Sequence, residues 1–457
     1  MGSILNYNYF TLVLLHVAIG FVVFLHRPLA ALILPVVFIL LILLVLNNRN
    51  RHNEALMAAA YMAGAEVFFR MTHATVFWET GKYSVILFLL IGMFYKGASA
   101  KTIPYWIYLL LLFPAIFVAS QSMDSTLGEF RRSVAFNLSG PVCLGISALY
   151  CYYKKISRKE FNLVLLMLVL PLVSTMIYLY FRTPSVGETL MYGTNSNFAT
   201  SGGYGPNQIA TVLGLGSVVL FMRLFTIRNS YINVVDLILF ALMSYRALVT
   251  FSRGGVITAI ICIVAFVFLF YYKQNAKERS GILVKLGMLG IAALIVVGYT
   301  ARETQGLIVN RYTGRDASGE LKDDITTGRA ELIITELEGF YENPFIGIGV
   351  DRGKKFRGWA VASHNELSRL LSEHGMFGIF AILILIFVPL LFWLKFKNNY
   401  YFLAFVAFWF LTINHSAMRI ALPAFVYGLA LLYIVEDKKK SGKVKSLEEK
   451  TAGTAIE

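Results

Sequence analysis

Charge is scarce in this sequence. Asp, Glu, Lys and Arg make up 15% of its 457 residues, where an ordinary soluble domain carries about 25%. Hydrophobic residues make up 57% and the mean hydropathy is +0.66, so no soluble enzymatic domain is hidden in the chain. Cysteine is scarcer still. All three, Cys143, Cys151 and Cys262, fall inside apolar runs, which excludes a disulfide framework and a Cys-based metal site. An HExxH motif, an Asp-x-Asp pair and a Cys/His ligand cluster are all missing, and Asp316, Asp323, Asp324 and Asp351 lack the spacing of a hard-cation site. Neither a metal nor a cofactor is expected, and no Ser or Cys nucleophile with a placed base is visible. Acidic residues number 26 against 41 Lys and Arg, for a net charge of +15. The basic residues sit in short segments between apolar runs rather than along one stripe, a pattern of membrane topology that excludes nucleic acid as a partner.

What the chain does have is apolar runs, near residues 8–25, 29–46, 55–71, 83–99, 103–120, 133–152 and 161–181, and again near 207–225, 232–250, 255–272, 284–300, 375–394, 401–415 and 420–435. Each is long enough to cross a hydrocarbon core of about 30 Å as a helix. With one weak pair re-entrant the count falls from 14 to 12, so the fold expected is an all-α, polytopic transmembrane bundle of 12 to 14 spans. Met1 to Asn8 carry no basic residue and no small-residue cleavage signature follows, so the first run reads as an uncleaved span.

Loop charge tests this count. With the N-terminus in the cytoplasm, every second loop should be the basic one. Those loops carry Arg49/Arg51, Lys96/Lys101, Lys154/Lys155/Arg158/Lys159, Arg223/Arg228, Lys273/Lys277/Arg279, Lys395/Lys397 and Lys438/Lys439/Lys440. Residues 182–206, 251–254 and 301–374 then lie outside. The expected organisation is residues 1–300 as about 11 spans, 301–374 as a long outer loop with short helices and one amphipathic segment near Glu331 to Tyr341, 375–436 as C-terminal spans, and 437–457 as a disordered cytoplasmic tail.

Four outer segments carry candidate chemistry. In Ser363-His364-Asn365-Glu366-Leu367, Ser363 and Glu366 have capping-box spacing. That puts His364 in a first helical turn, where the dipole disfavours imidazolium and free N–H groups favour an anion. A neutral imidazole there suits a general base; the alternative is a polar residue entering a helix at the membrane surface. Arg253, in Thr250-Phe251-Ser252-Arg253-Gly254-Gly255, is an outer-face cation beside two glycines that permit close backbone approach. It is either an anion contact or an interfacial anchor, with Arg246 a weaker candidate earlier in the same helix. Arg329, in Thr327-Gly328-Arg329, would open the amphipathic segment and suit an anion's oxygen, or be a solvated loop residue like Arg315 in the similar Thr313-Gly314-Arg315. Asn207 and Gln208, after Gly202-Gly203-Tyr204-Gly205-Pro206, either hydrogen-bond a ligand or cap the helix.

Taken in order, Ser252-Arg253, Thr327-Gly328-Arg329, Pro344-Phe345-Ile346-Gly347-Ile348-Gly349, His364-Asn365 and Glu373-His374-Gly375-Met376-Phe377-Gly378 resemble the motif series of the O-antigen ligase and polymerase superfamily, over about residues 200–380. One departure is Ile333 and Ile334 where the family often has Trp or Phe after the Gly-Arg, which leaves the acceptor open. The resemblance implies a fold similar to the GT-C transferases, in a bacterial inner membrane with its site on the periplasmic face. It further implies a glycan donor linked to a polyprenyl (undecaprenyl) diphosphate, a sugar or lipid-linked glycan acceptor, and metal-independent, inverting transfer. Mapped onto this chain, His364 is the base for the acceptor hydroxyl and Arg253 and Arg329 hold the diphosphate. Asn365, Asn207, Gln208 and Arg246 are then candidate substrate-binding residues. The acceptor would separate a ligase, a polymerase and a protein O-oligosaccharyltransferase. A lipid-linked glycan flippase or other transporter is the rival from another class, but transporters place ionisable residues near mid-membrane, often in related halves; here the charges cluster outside and no half-repeat is present.

Overall fold

The computed structural model describes residues 8–121, 126–183, 193–196, 198–322, 328–358, 361–397 and 399–435. Thr327, Asp323, Asp324 and the Lys-rich tail lie outside the described residues. Every apolar run is helical over most of its length, as it must be where lipid offers backbone groups no partner. Among the described residues, nine helices are long and apolar enough to cross a membrane, and three shorter ones, Tyr9–Leu25, Phe402–Ser416 and Ala421–Ala430, are apolar as well. Two further helices, Glu54–Met71 and Thr80–Lys96, complete the bundle.

Two runs depart from unbroken helices. The run at 103–120 divides into Ile103–Leu111 and Phe113–Gln121, because Pro114 has no N–H to give and its ring crowds the carbonyl four residues back. The run at 420–435 stops being helical at Ala430; Tyr433–Val435 is instead a short strand, paired in parallel with Lys155–Ser157.

Close packing rests on small residues. A Cβ on Gly64 would meet the Leu168 carbonyl at 2.4 Å, and one on Gly428 would meet Ser147 at 2.9 Å, so Glu54–Met71 beds into Arg158–Arg182, and Ala421–Ala430 into Leu127–Cys151. Glu54–Met71 is buried along its whole length. At the other extreme, only 11% of the apolar window of Ala276–Glu303 is buried, and Leu294 and Ile295 on it are open to the lipid.

The loops that charge alternation assigns to one side do lie at one end of the bundle. Lys96 donates to the Arg51 carbonyl (2.9 Å), Lys101 sits over the Tyr153 ring, Tyr433 N donates to the Lys154 carbonyl and Arg158 lies over Tyr400. The three segments assigned to the other side also touch one another: Thr200 donates to the Thr250 carbonyl, Arg311 to the Phe251 carbonyl and Lys322 to Asn195. The longest of them carries the short helices Leu307–Tyr312, Arg329–Glu342, Gly353–Arg357 and Glu366–His374.

Candidate functional site

Arg253 is the first residue of the helix Arg253–Tyr272, presented by a tight turn. Phe251 adopts a left-handed φ of 56°, a strained conformation for a bulky residue, and is buried. Its neighbours hold it there. Thr250 Oγ1 accepts from Ser252 N (3.2 Å), Arg311 Nε donates to the Phe251 carbonyl (2.9 Å), and Ser252 Oγ donates to Asn207 Oδ1 (2.7 Å). The two glycines that follow meet protein, not open space. A Cβ on Gly255 would strike the backbone of Ala210 and Thr211 at 2.4 to 2.6 Å, and one on Gly254 the His415 ring at 2.5 Å.

Arg329 is likewise the first residue of its helix, Arg329–Glu342, after Gly328 in a left-handed φ of 77°. Burial, then the Arg253 guanidinium, hold Arg329 below its ordinary range. Burial, Arg253 and Arg329 do the same to Arg311, and burial, Arg329 and Arg369 to Arg419. Arg253, Arg311, Arg329 and Arg419 therefore converge at one end of the bundle, with Arg253 raising the cost of charge on Arg329 and Arg311, and Arg329 raising it on Arg311 and Arg419. Such a cluster favours an anion of more than one charge.

His364 is not in a first helical turn. The capping box read from Ser363 and Glu366 does not form: the N-cap is Asn365, whose Oδ1 accepts from Leu367 N (2.8 Å) and Ser368 N (3.2 Å). Glu366 is engaged elsewhere, in a buried ion pair with Arg369. His364 therefore precedes the helix, and its carbonyl accepts from Ala417 N (3.0 Å). Its imidazole is still kept neutral, for a different reason. Burial, then Arg419 and Arg329, hold it down to about 4, with the Ala362 carbonyl opposing. Nδ1 is enclosed and makes no hydrogen bond of normal geometry.

The remaining sequence candidates divide. Asn207 is joined to the Arg253 turn through Ser252, and Gln208 follows it in the first turn of Pro206–Thr226. Neither caps that helix, whose N-cap is Gly205. Asn365 has both ends of its amide bound to protein, since Nδ2 donates to Asn414 Oδ1 (3.0 Å). Arg246 does not share a helix with Arg253, as the sequence suggested, because the turn at 250–252 ends Ser230–Val249 before it; it is turned to another neighbour, donating to Thr183 Oγ1 (2.6 Å) and lying over the Tyr180 ring. Among the described residues, no group of three His, Cys, Asp or Glu side chains is placed to hold a metal ion.

Sequence reasoning missed Arg311, Arg419 and His415. Arg419 donates to the Ala362 and Ser363 carbonyls (3.3 and 3.0 Å), bracing the segment that carries His364. Arg70 in turn donates to the Arg419 carbonyl (2.9 Å), and Glu66 accepts from Ala421 N. The signal was available: Arg419 lies between the runs at 401–415 and 420–435, on the side where the loop-charge rule leaves cations unexplained, as it does for Arg253.

The glycine motifs make the scaffold. Gly347 (φ 72°) and Gly349 (φ 90°) let residues 344–349 lie across the end of Glu366–His374. Ile348 N donates to the Ser372 carbonyl (2.9 Å), Gly349 N to that of Glu373 (3.1 Å), and Met376 N to that of Phe345 (3.3 Å). The helix end's orphan carbonyls are thereby satisfied. Arg369 ties the same helix to Asn137, and Ser368 ties it to Glu336. An apolar cleft of about 350 Å³ begins one turn from Arg253, at Ala247 and Val256, and runs between Pro206–Thr226 and Ala276–Glu303 past Phe221 and Leu289.

Against known proteins, the O-antigen ligase family model matches residues 238–383. That stretch contains Arg253, Arg329 and His364, but not Arg419, His415 or Asn207. No curated protein and no solved structure matches the chain.

Proposed function

We propose, from the match of residues 238–383 to the O-antigen ligase family model, that the chain is a membrane glycosyltransferase that moves a glycan from a polyprenyl-diphosphate carrier to a hydroxyl acceptor. The observation that carries this reading is the meeting of Arg253, Arg329 and His364 from three separate segments of chain, with Arg253 acting electrostatically on Arg329 and Arg329 on His364. In this reading the arginines, with Arg311 and Arg419 behind them, hold the diphosphate and stabilise the charge it takes on in leaving. His364 removes the acceptor hydroxyl proton as the new glycosidic bond forms and the bond from the sugar's anomeric carbon to the diphosphate oxygen breaks. Attack from the opposite face inverts that carbon. The apolar cleft beside Arg253 receives the first isoprene units of the carrier. The site faces the non-cytoplasmic side of the inner membrane, as the loop charges require, and the transfer needs no divalent cation.

The test is reconstitution in liposomes with a radiolabelled polyprenyl-diphosphate glycan and a panel of acceptors: lipid A core, a second repeat unit and a protein Ser/Thr. Label appearing on an acceptor, with the carrier released as diphosphate, supports the proposal and names the subclass. Label that crosses the bilayer still on its carrier makes the protein a flippase.

A further inference from the structure

The basic end of the bundle, far from the arginine cluster, holds a second cavity of about 250 Å³. Its polar wall is formed by Arg158, Arg228, Lys285, Gln274, Glu278 and Tyr400. Three cations therefore face one carboxylate, and they arrive from three places: the start of Arg158–Arg182, the link after Pro206–Thr226, and the interior of Ala276–Glu303. Phe225 and Phe270 supply an apolar wall beside them.

Lys285 is the informative member. It stands in a helix that is otherwise apolar from Ile282 to Val297, where a cation must be justified by a partner or a function. The side chain leans towards the cavity: Nζ donates to the Leu224 carbonyl (3.1 Å) and lies 5.7 Å from the Phe225 ring centre. The ammonium keeps two further donors beyond that bond. The same helix exposes Leu283, Val284 and Met288 to the lipid, so the cavity sits beside a lipid-facing surface.

We propose that this cavity binds the phosphate head group of an anionic phospholipid from the leaflet at the basic end, with its acyl chains along the exposed face of Ala276–Glu303. Arg158 and Arg228 offer forked donors to the phosphate oxygens and Lys285 a point charge. Gln274, Glu278 and the Tyr400 hydroxyl suit the hydroxyls of a glycerol head group. A choline head group would bring its own cation into a wall that is already positive.

The experiment uses the full chain in nanodiscs of mixed phosphatidylglycerol and phosphatidylcholine, with co-purified lipid measured by mass spectrometry. The wild type should retain phosphatidylglycerol preferentially, and Arg228→Gln and Lys285→Gln should each lower that preference about fivefold, while Lys285→Arg keeps it. Arg228 is exposed and outside any helix, so its variant reads binding without disturbing the fold. Equal retention in the wild type and both Gln variants overturns the proposal. So does complete displacement of the lipid by millimolar inorganic phosphate, which would make the cavity a site for a soluble anion.

Discussion

His364 gives the sharpest test at the scale of a single residue. A sugar hydroxyl is a poor nucleophile near neutral pH while a diphosphate leaves well, so base assistance to the acceptor is the step a side chain must supply. His364→Ala should fold, bind donor and lose about 10² to 10⁴ in transfer rate; a purified, folded variant within a few-fold of wild type would remove the base assignment. The obvious substitutes are both committed. Glu366 is paired with Arg369, and His374 is buried and held down to about 3. The pH profile carries the second reading. Because His364 is lowered from 6.5 to about 4, its base form persists through mildly acidic conditions, so the His364-dependent rate should stay level from neutral pH to about 5 and fall only towards 4. Its contribution to stability has the same sign: between 6.5 and 4 the unfolded chain takes up a proton that the folded site refuses, so stability declines as pH falls through that window. A rate that halves near pH 6.5 would place the imidazole in water. For Arg253 and Arg329, substitution by Lys keeps the charge but loses the planar fork. Both variants should be strongly impaired in transfer at normal protein level, whereas full activity would leave them as membrane anchors. EDTA should leave the wild-type rate unchanged.

At the scale of elements, the geometry of the candidate site depends on how closely Arg253–Tyr272 approaches Pro206–Thr226. A methyl group at position 255 has nowhere to go against the Ala210 backbone, so Gly255→Ala must push Arg253–Tyr272 away from Pro206–Thr226. The expected loss of about 1 to 3 kcal/mol should appear as a lower unfolding temperature together with lost transfer, since Arg253 and Asn207 sit at that same junction. A variant with unchanged stability would mean the junction is looser than its geometry. Asn365 separates capping from ligand binding. Asn365→Ala should cost about 1 kcal/mol, and Asn365→Asp, which keeps the capping oxygen but loses the bond to Asn414 Oδ1, should recover the capping share of stability and keep transfer. Stability kept but transfer lost in Asn365→Asp would instead give the amide nitrogen a substrate.

For the whole molecule, the prediction concerns sidedness. Basic loops gather at one end and the arginine cluster at the other, and the positive-inside rule assigns the first end to the cytoplasm. Ser318, exposed in the long connection, should as Ser318→Cys react with an impermeant thiol reagent on intact spheroplasts; labelling only after lysis would invert the topology and the proposed function with it.

The sequence by itself determined that the apolar runs are helices and that charge is distributed between two ends. A lipid environment forces each apolar run of sufficient length to satisfy its own backbone, so run length decides structure with little help from neighbours. It also marked Arg253, Arg329 and His364, since a cation outside the positive-inside rule and a histidine beside a helix start stand out locally. Only the tertiary structure decided what those residues meet. Arg311, Arg419 and His415 join the site through contacts between segments about 50 to 200 residues apart, which no local pattern encodes. The failed capping box has the same origin. Ser363 and Glu366 had the right spacing, but the carboxylate of Glu366 is drawn to Arg369 inside the protein, and a buried guanidinium outcompetes a backbone N–H for that charge. Burial, rather than the helix dipole, keeps His364 neutral, and burial is a property of the assembled bundle alone.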